Sequence, residues 1–479
     1  MTHTPLFPAW RGRFANLGRR RQQIRQQSLL QLDLLLYPLL PAGLLSQADE
    51  GTNSRERVYT VRRTFFGFLS QVLKPECPCR EIVRQILALC ALHTEEDSSK
   101  PGTSAYCQAR LRLPWDILPR LRCALAARAD RAGELWKGLC VKVVDGTGVS
   151  LPDTPKNQRA YPQPGGQKPG CGFPLLKLVG VFSLATGTLL DYAKGNKHQH
   201  ELGLLQRLLD TFKAGDLVLA DRGFSTYALM ALLWLRKVPS LFRLHHARPQ
   251  DFRKGKRLGK DDRLLVWRKP DNWQKPRFIP KSLWRRLPTQ LSVRMVRFTL
   301  QIPGYRTRSV TLITTLLDPK LYPAAELAQL YARRWRIELW FRDIKTSMGM
   351  ETLRCLSPKM VHKELEMFFI AYNFIRCLIA DAAQVHHAPI ERLSFKGTVD
   401  SVRQFSAAIA QARSRKKKNQ LFARLLELIA KDKVPERPGR REPRAVKRRP
   451  KPYQKLNRPR HLMKEMQHRS KYRKTRDPI

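Results

Sequence analysis

Acidic residues are scarce in this chain of 479 residues. The sequence has 39 Asp and Glu against 90 Lys and Arg, which gives a formal net charge of +51. The cations are spread along the chain rather than confined to one tail. A globular protein this basic repels itself unless it meets a polyanion, so the charge favours nucleic acid as the partner and an anionic membrane surface second. With 42% hydrophobic residues, the chain is not disordered as a whole.

Long uninterrupted apolar runs are also lacking. The opening MTHTPLFPAWRGRF has no apolar segment of the kind found in secretory signals. Residues 29–45 contain Asp33 and two prolines, which argues against a membrane span. Residues 367–383 are interrupted by Asn373 and Arg376, so they predict a buried core helix. We expect no membrane partner and a cytoplasmic, nucleoid-associated protein.

Zinc-binding sequence patterns are missing as well. The nine cysteines include the close pair Cys77 and Cys79, but no second pair follows at zinc-site spacing. A reduced, cytosolic protein is the simplest interpretation. His198, His200 and Glu201 stand just before a predicted helix, where polar caps are common, and we interpret them as capping residues rather than metal ligands.

Composition and periodicity divide the chain into five segments. Residues 1–135 predict a basic, helical N-terminal domain suited to DNA docking, and residues 136–250 the first part of an α/β domain. Residues 251–321 are basic and aromatic-rich with strand-like alternation, which predicts a β insertion. Residues 322–385 resume the α/β domain, and residues 386–479 form a basic C-terminal region that we expect to be partly disordered.

Two buried strands of the α/β segment each end at an aspartate. VKVVD ends at Asp145 and LVLAD at Asp221, while a hairpin with its turn near residues 185–187 lies between them. If the two strands are neighbours, the carboxylates face each other in a crevice. At 4 Å and an effective dielectric of 20 their repulsion is roughly 4 kcal/mol, which a hard divalent cation such as Mg²⁺ or Mn²⁺ would relieve. The alternative is that each aspartate only caps a turn.

The segment YARRWRIELWFRDIK lies within a predicted long helix, residues 324–345. At about 100° per residue one side of this helix carries a narrow polar stripe, made of Tyr331, Arg334, Glu338, Arg342 and Lys345. Asp343 falls off the stripe. The stripe is explained either by i,i+4 ion pairs, each worth a few tenths of a kcal/mol, or by a metal-binding carboxylate flanked by phosphate-binding cations.

The spacing of these residues resembles a known signature. Tyr331, Arg334, Glu338 and Lys345 match the Y-R-E-K pattern of the insertion-sequence-four family of DDE transposases. The same family carries one aspartate in a D-G-T context and another in a D-R-G-F context, as residues 145–147 and 221–224 do here. The resemblance covers nearly the whole chain, and the three elements occur in the family's order.

The resemblance implies a ribonuclease-H-like catalytic domain interrupted by a β-strand insertion. It implies that two Mg²⁺ ions, or Mn²⁺ in their place, are bound by the three acids Asp145, Asp221 and Glu338. Family members act on double-stranded DNA, both element ends and target, as homodimers, and cut and paste through hairpin ends.

The resemblance also assigns DNA contacts. Tyr331, Arg334 and Lys345 would hold phosphates near the cut, and Trp335 would pack beside the terminal base. A flipped base would stack on an aromatic residue of the insertion, for which the candidates are Trp267, Trp273 and Trp284. Two other functions stay open: a DNA-binding protein that no longer cuts, and a nuclease that cleaves without joining.

Overall fold

The structure, a computed structural model, describes residues 32–36, 39, 58–91, 102–131, 133–271, 275–299, 309–436 and 456–463. Its helices are α1 Leu32–Leu36, α2 Val61–Leu73, α3 Cys79–Ala91, α4 Ser104–Arg112, α5 Ile117–Asp130, α6 Pro155–Ala160, α7 Glu201–Gln206, α8 Tyr227–Leu235, α9 Lys281–Arg286, α10 Ala324–Ala332, α11 Arg336–Arg342, α12 Pro358–Val385, α13 Phe395–Gln411 and α14 Arg415–Lys431. Its strands are β1 Cys140–Ser150, β2 Leu175–Ser183, β3 Leu189–Gly195, β4 Asp216–Ala220, β5 Ser240–Arg243, β6 Lys256–Gly259, β7 Asp262–Arg268, β8 Gln290–Thr299 and β9 Ser309–Thr314.

The described strands form a single mixed sheet with the order β3-β2-β1-β4-β5-β9-β8-β7-β6. Strands β1, β4 and β5 are parallel to one another, and every other neighbouring pair is antiparallel. The mixed α/β architecture therefore agrees with the sequence. The strands of the insertion do not stand apart, because β9 pairs with β5 and carries β8, β7 and β6 onto the same sheet.

Strand β1 is longer than the sequence pattern predicts. We expected it to end at Asp145, but it continues to Ser150, and Asp145 lies opposite Gly180 of β2. Because β2 runs alongside β1 over this whole stretch, the backbone groups after Asp145 are paired in the ladder and no turn forms there. Strand β4 ends at Ala220, one residue before the predicted end at Asp221. The predicted hairpin turn is also present between β2 and β3, with Gly187 at φ +69°.

Helix α12 is the centre of the molecule. It is long and apolar enough to cross a membrane, but most of it is buried inside the protein. Its buried Glu366 accepts from Arg122 Nε of α5 at 3.1 Å, and its buried Asn373 binds the backbone of Leu189. These paired polar groups identify α12 as the core helix that the sequence predicts. They also place α5 of the N-terminal segment and strand β3 against one helix.

The predicted long helix over residues 324–345 is not one regular α-helix. A 3₁₀ turn at Arg333–Trp335 separates α10 from α11, and a π-helical turn at Asp343–Ser347 follows α11. In the π-helical turn the N–H of Met348 reaches back five residues to the carbonyl of Asp343. Both turns depart from 100° per residue, so the polar stripe inferred from a regular helix is bent at each end.

The C-terminal region contains more structure than expected within the described residues. Helices α13 and α14 pack on each other and on α12, and Leu425 and Ile429 of α14 are buried there. The strongly basic stretch from 437 onward lies almost wholly outside the described residues.

Candidate active site

Strand pairing brings Asp145 and Asp221 to adjacent positions, where the parallel pairing of β1 with β4 stops. Strands β1 and β4 are parallel neighbours, with Val144 opposite Ala220, so the next residue of each strand is an aspartate. The sequence predicted this pairing only conditionally, and the register establishes it. Asp221 is close enough for its charge to raise the pKa of Asp145.

The Asp145 carboxyl is held in a poorly hydrated position. Burial is the largest influence and raises its pKa to about 6. A hydrogen bond from the Gly146 N–H to Oδ1, 2.8 Å long, and the charge of Arg334 oppose that rise, while the charges of Asp221 and Glu201 add to it. Because burial outweighs the groups that lower this pKa, an additional cation nearby would stabilise the ionised form of the carboxyl.

Arg334 connects the helix to the strand. Its Nη1 lies 3.5 Å from Asp145 Oδ2 and its Nη2 lies 3.7 Å from Glu338 Oε1. The residue is 3% exposed, whereas the Glu338 side chain is 52% exposed. The i,i+4 ion pair considered from the sequence therefore exists, but the same guanidinium also reaches a strand 189 residues away. Glu338 is linked to Asp145 through Arg334.

Tyr331 completes the buried side of this cluster. Its hydroxyl donates to the carbonyl of Ala220, the residue before Asp221, at 3.4 Å. Burial raises the pKa of this tyrosine, so it stays a neutral phenol. The Arg334 guanidinium lies 5.7 Å from the centre of the Tyr331 ring and 5.1 Å from that of Trp335. Arg334 is thereby fixed by ion pairs and by aromatic rings.

A small pocket opens beside the cluster. Three residues of the helical segment form one wall, Tyr331, Arg334 and Trp335, and Ala332 lies with them. The opposite wall comes from strands β5, β8 and β9 through Arg243, Phe298 and Val310. The pocket thus combines aromatic surface with two guanidinium groups next to Asp145.

Two further charged residues of the helical segment, Lys345 on the predicted stripe and Asp343 off it, form no ion pair with the cluster around Arg334 among the described residues. Lys345 lies in the π-helical turn, half-buried, and forms no ion pair with the three acids in the part of the chain that the structure describes. Burial raises the pKa of Asp343 to about 6, and the positive charges of Arg376 and Arg342 oppose that rise. The two acids of the helix therefore have different surroundings, as the helical projection predicted.

The donor set suits a hard divalent cation, because all three acids offer carboxylate oxygens. The desolvated Asp145 supports that chemistry, since a cation would relieve its raised pKa. The described residues contain no group of three acid, histidine or cysteine side chains already converged for metal binding. Instead, a guanidinium lies between Asp145 and Glu338.

Glu201 is a residue that sequence reasoning set aside. We interpreted it with His198 and His200 as a helix cap, yet its carboxyl lies so close to Gly146 that a Cβ at that position would collide with it. Its charge contributes to the raised pKa of Asp145. A side chain at position 146 would fit only if the Glu201 carboxyl moved away, so the glycine is what lets this close approach form. No sequence motif relates positions 146 and 201, so this contact could not be predicted from the sequence.

Of the tryptophans proposed for base stacking, the two that the structure describes do not line the pocket beside Arg334. Trp284 is 2% exposed and belongs to the core, which excludes it as an open stacking surface in this structure. Trp267 is half-buried under the guanidinium of Arg248, 4.1 Å from the ring centre. Trp273 lies outside the described residues. The aromatic residues that do line it are Phe298, Tyr331 and Trp335.

Comparison with known proteins gives a consistent result. Residues 136–374 match the family model described as "Transposase DDE domain". The chain is 26% identical over 438 residues, 87% of its own length and 94% of the relative's, to the transposase InsG for insertion sequence element IS4 of Escherichia coli strain K12. A cryo-EM structure of the piggyBac transposase synaptic complex with hairpin DNA is similar at 10% identity and a TM-score of 0.42, over 84% of this chain and 85% of that one. On the match to the domain and to the insertion-sequence relative, the chain belongs to the DDE transposases, in the family of IS4.

Proposed function

We propose that this protein is an active transposase that binds the terminal inverted repeats of its own insertion sequence and catalyses metal-dependent strand cleavage and strand transfer. The observation that supports this most strongly is the register of β1 and β4, which brings Asp145 and Asp221 to adjacent positions where these two strands stop pairing. The helical segment adds Glu338 to them through Arg334.

The catalytic part is, in this proposal, a ribonuclease-H-like domain. The order β3-β2-β1-β4-β5, with β2 antiparallel to β1 and with β1, β4 and β5 parallel, supports that assignment. The four strands β6 to β9 are then the insertion, placed between the second acid and the third.

The roles of the residues follow from their positions. Asp145, Asp221 and Glu338 would hold two divalent cations, Mg²⁺ or Mn²⁺, which when bound activate the attacking oxygen and stabilise the leaving one. Arg334 would also bind a DNA phosphate, sharing its guanidinium with Asp145 and Glu338, whose two charges it only partly offsets. Tyr331 fixes the position of Arg334 and of the residue before Asp221.

The DNA contacts are proposed on charge and shape. Trp335 lines the pocket beside the acids, and we assign it to pack against the terminal base. Lys345 would bind a phosphate farther along the helix. The partners are double-stranded DNA, at element ends and target, and a second copy of this chain in a homodimer. The protein would act in the cytoplasm at the nucleoid, and the cut ends would pass through hairpins.

One experiment tests the proposed reaction. The full chain is incubated with a supercoiled plasmid that carries both element ends, with Mg²⁺ or Mn²⁺, and the products are separated on denaturing and native gels. Excised linear element with joined products supports the proposal. Nicking without joining would indicate a nuclease, and binding without cleavage a silent DNA-binding protein; either result contradicts the proposal.

A further inference from the structure

The N-terminal helices hold a cluster of sulfur atoms around one buried cation. The side chain of Arg110 on α4 is buried, with Nη1 3.0 Å from Cys79 Sγ and Nη2 3.1 Å from Cys355 Sγ. Its guanidinium stacks on Phe68, 3.9 Å from the ring centre. Among the described residues no carboxylate lies within ion-pair distance of it, although the buried Glu364 acts on it through its charge, and its Nε has no hydrogen-bond partner. A buried arginine in such surroundings needs an anion nearby.

Cys79 is the sulfur best placed to be that anion. It is the first residue of α3, where the helix dipole favours negative charge, and Gln71 Nε2 donates to its Sγ at 3.5 Å. The neighbouring Cys107 thiol and the charge of Arg110 lower the pKa of Cys79, against the effect of burial. By contrast, burial and the charge of Glu81 raise the pKa of Cys77 to about 11. Burial also raises the pKa of Cys355.

Cys107 supplies the second thiol. It is exposed on α4, three residues before the Arg110 whose Nη1 contacts Cys79 Sγ, and it is near enough to the half-buried Cys79 to affect the pKa of that thiol. A reactive thiolate with reach to solvent and a neighbouring thiol is the arrangement found in redox-responsive cysteine pairs.

We propose that Cys79 and Cys107 form a peroxide-reactive thiol pair that closes to a disulfide between α3 and α4. The Cys79 thiolate attacks one oxygen of hydrogen peroxide, so that an S–O bond forms, the O–O bond breaks and hydroxide leaves. The Cys107 sulfur then attacks Cys79, so that the S–S bond forms and the S–O bond breaks. The second hydroxide leaves with the proton of Cys107 as water, and the first takes a proton from solvent. Two electrons pass from the sulfurs to the peroxide.

The proposal gives Arg110 a role beyond packing. Reduced Cys79 neutralises its charge, and the disulfide removes that anion. Arg110 also touches Cys355, whose N–H donates to the buried Glu364 of α12 at 3.0 Å. Oxidation therefore acts where the N-terminal helices meet the core helix. This inference is independent of the DNA chemistry proposed above.

The first test follows alkylation by iodoacetamide in the reduced full chain, site by site, with mass spectrometry of the peptides. Cys140 is an exposed thiol whose pKa is raised by burial, and it serves as the internal reference. Because the pKa of Cys79 is lowered and that of Cys140 is raised, we expect Cys79 to react about tenfold faster at pH 6, after allowing for the weaker nucleophilicity of a low-pKa thiolate. Equal rates and the same pH midpoint for both thiols would overturn the proposal.

The second test treats the reduced chain with a small excess of hydrogen peroxide, blocks remaining thiols and searches the digest for linked peptides. We expect a Cys79–Cys107 link with Cys140 still reduced. In Cys107→Ser, dimedone should trap a sulfenic acid at Cys79, and Cys79→Ser should leave Cys107 unoxidised at the same peroxide dose. Oxidation of Cys140 before Cys79, or absence of the link in the wild-type chain, contradicts the proposal regardless of how the variants fold.

Discussion

Arg334 and Asp145 form an ion pair across the boundary between the helical segment and the sheet, with Nη1 3.5 Å from Oδ2. The arginine is almost fully buried, and the aspartate is only partly exposed. Burial raises the pKa of Asp145, and the Gly146 N–H and Arg334 both lower it, so Arg334 supplies one of the two contacts that oppose burial. The same contact connects Asp145 to Glu338. Strand cleavage should therefore be sensitive to any change in the shape of the cation at position 334.

The first prediction concerns that shape. Arg334→Lys keeps the charge, but one ammonium cannot reach both carboxylates as a planar guanidinium does. We expect the pKa of Asp145 to rise and the pH midpoint of the cleavage rate to move upward, with folding retained. Cleavage of end-bearing DNA between pH 5 and 9 measures the shift. The control is Arg333→Lys. Arg333 is the neighbouring residue, is more exposed and pairs with Glu391, so this change should leave the pH profile of cleavage unchanged. An unaltered midpoint in Arg334→Lys would show that this ion pair does not tune the site.

The second prediction separates catalysis from binding at Glu338. Glu338→Gln removes a charge but little volume, and because this side chain is 52% exposed and pairs loosely, the fold should persist. We expect strand cleavage to fall at least a thousandfold while the affinity for element ends changes less than about threefold. Gel-shift and cleavage assays on the same DNA measure both. Glu351→Gln, on an exposed residue of the following turn, is the matched control. Joint loss of folding and end binding in Glu338→Gln would support a purely structural ion pair.

The third prediction concerns stability and pH. The pKa of Asp145 in the folded protein is about 6, above the unfolded value near 3.8, because burial disfavours its charged form. The folded state therefore binds this proton more tightly, and the metal-free protein loses stability as pH rises from about 4 through 6. Asp145→Asn should remove that loss and stabilise the protein by about 1 to 3 kcal/mol at pH 7 while abolishing cleavage.

Urea unfolding in the presence of EDTA at pH 5 and pH 7 measures this effect. The gap in unfolding free energy between variant and wild type should widen toward pH 7. Asp210→Asn, at a nearly fully exposed side chain, should show no such gap. Adding Mg²⁺ should raise the thermal midpoint of the wild type and not that of Asp145→Asn. If Asp145→Asn were less stable than the wild type at pH 7, the ionised Asp145 carboxylate would be stabilising the fold, which contradicts this prediction.

The fourth prediction concerns the basic C-terminal stretch. Residues 437–479 contain 17 Lys or Arg and 3 Asp or Glu. Deleting them should weaken binding to unrelated DNA and make the dependence of log K on log salt less steep, because fewer phosphates are neutralised. A variant with those cations replaced by glutamine distinguishes lost charge from lost chain. An unchanged salt slope in both variants would mean that the tail does not contact DNA.

Much of the site could be predicted from the sequence because its information is local. Alternating and continuous apolar residues predicted the strands that carry Asp145 and Asp221, and the residue spacing of the helical segment separated Glu338 from Asp343. The errors are local as well. The strand of Asp145 was predicted too short because Gly146 reads as a turn residue, and only pairing with β2 keeps it extended.

Contacts between distant segments could not be predicted. Nothing near position 146 in the sequence indicates that Glu201 covers that glycine, and no periodicity predicts Arg243 and Phe298 in the wall of a pocket with Trp335. The sequence predicted a regular helix over residues 324–345, because sequence periodicity cannot show a 3₁₀ or π turn. These turns change where Lys345 points relative to the acids.

The sequence by itself determined three features of this protein: a positive charge that favours a polyanionic partner, the three candidate acids and the residue spacing that marks the DDE transposases. The tertiary structure decided which of these groups meet. Parallel pairing of β1 with β4 brought two aspartates together, and burial of Arg334 between Asp145 and Glu338 set the charge balance of the site. It also brought Cys79 to Cys107 and Arg110. The reason is physical: composition and periodicity are properties of neighbours along the chain, whereas desolvation and ion pairing depend on neighbours in space.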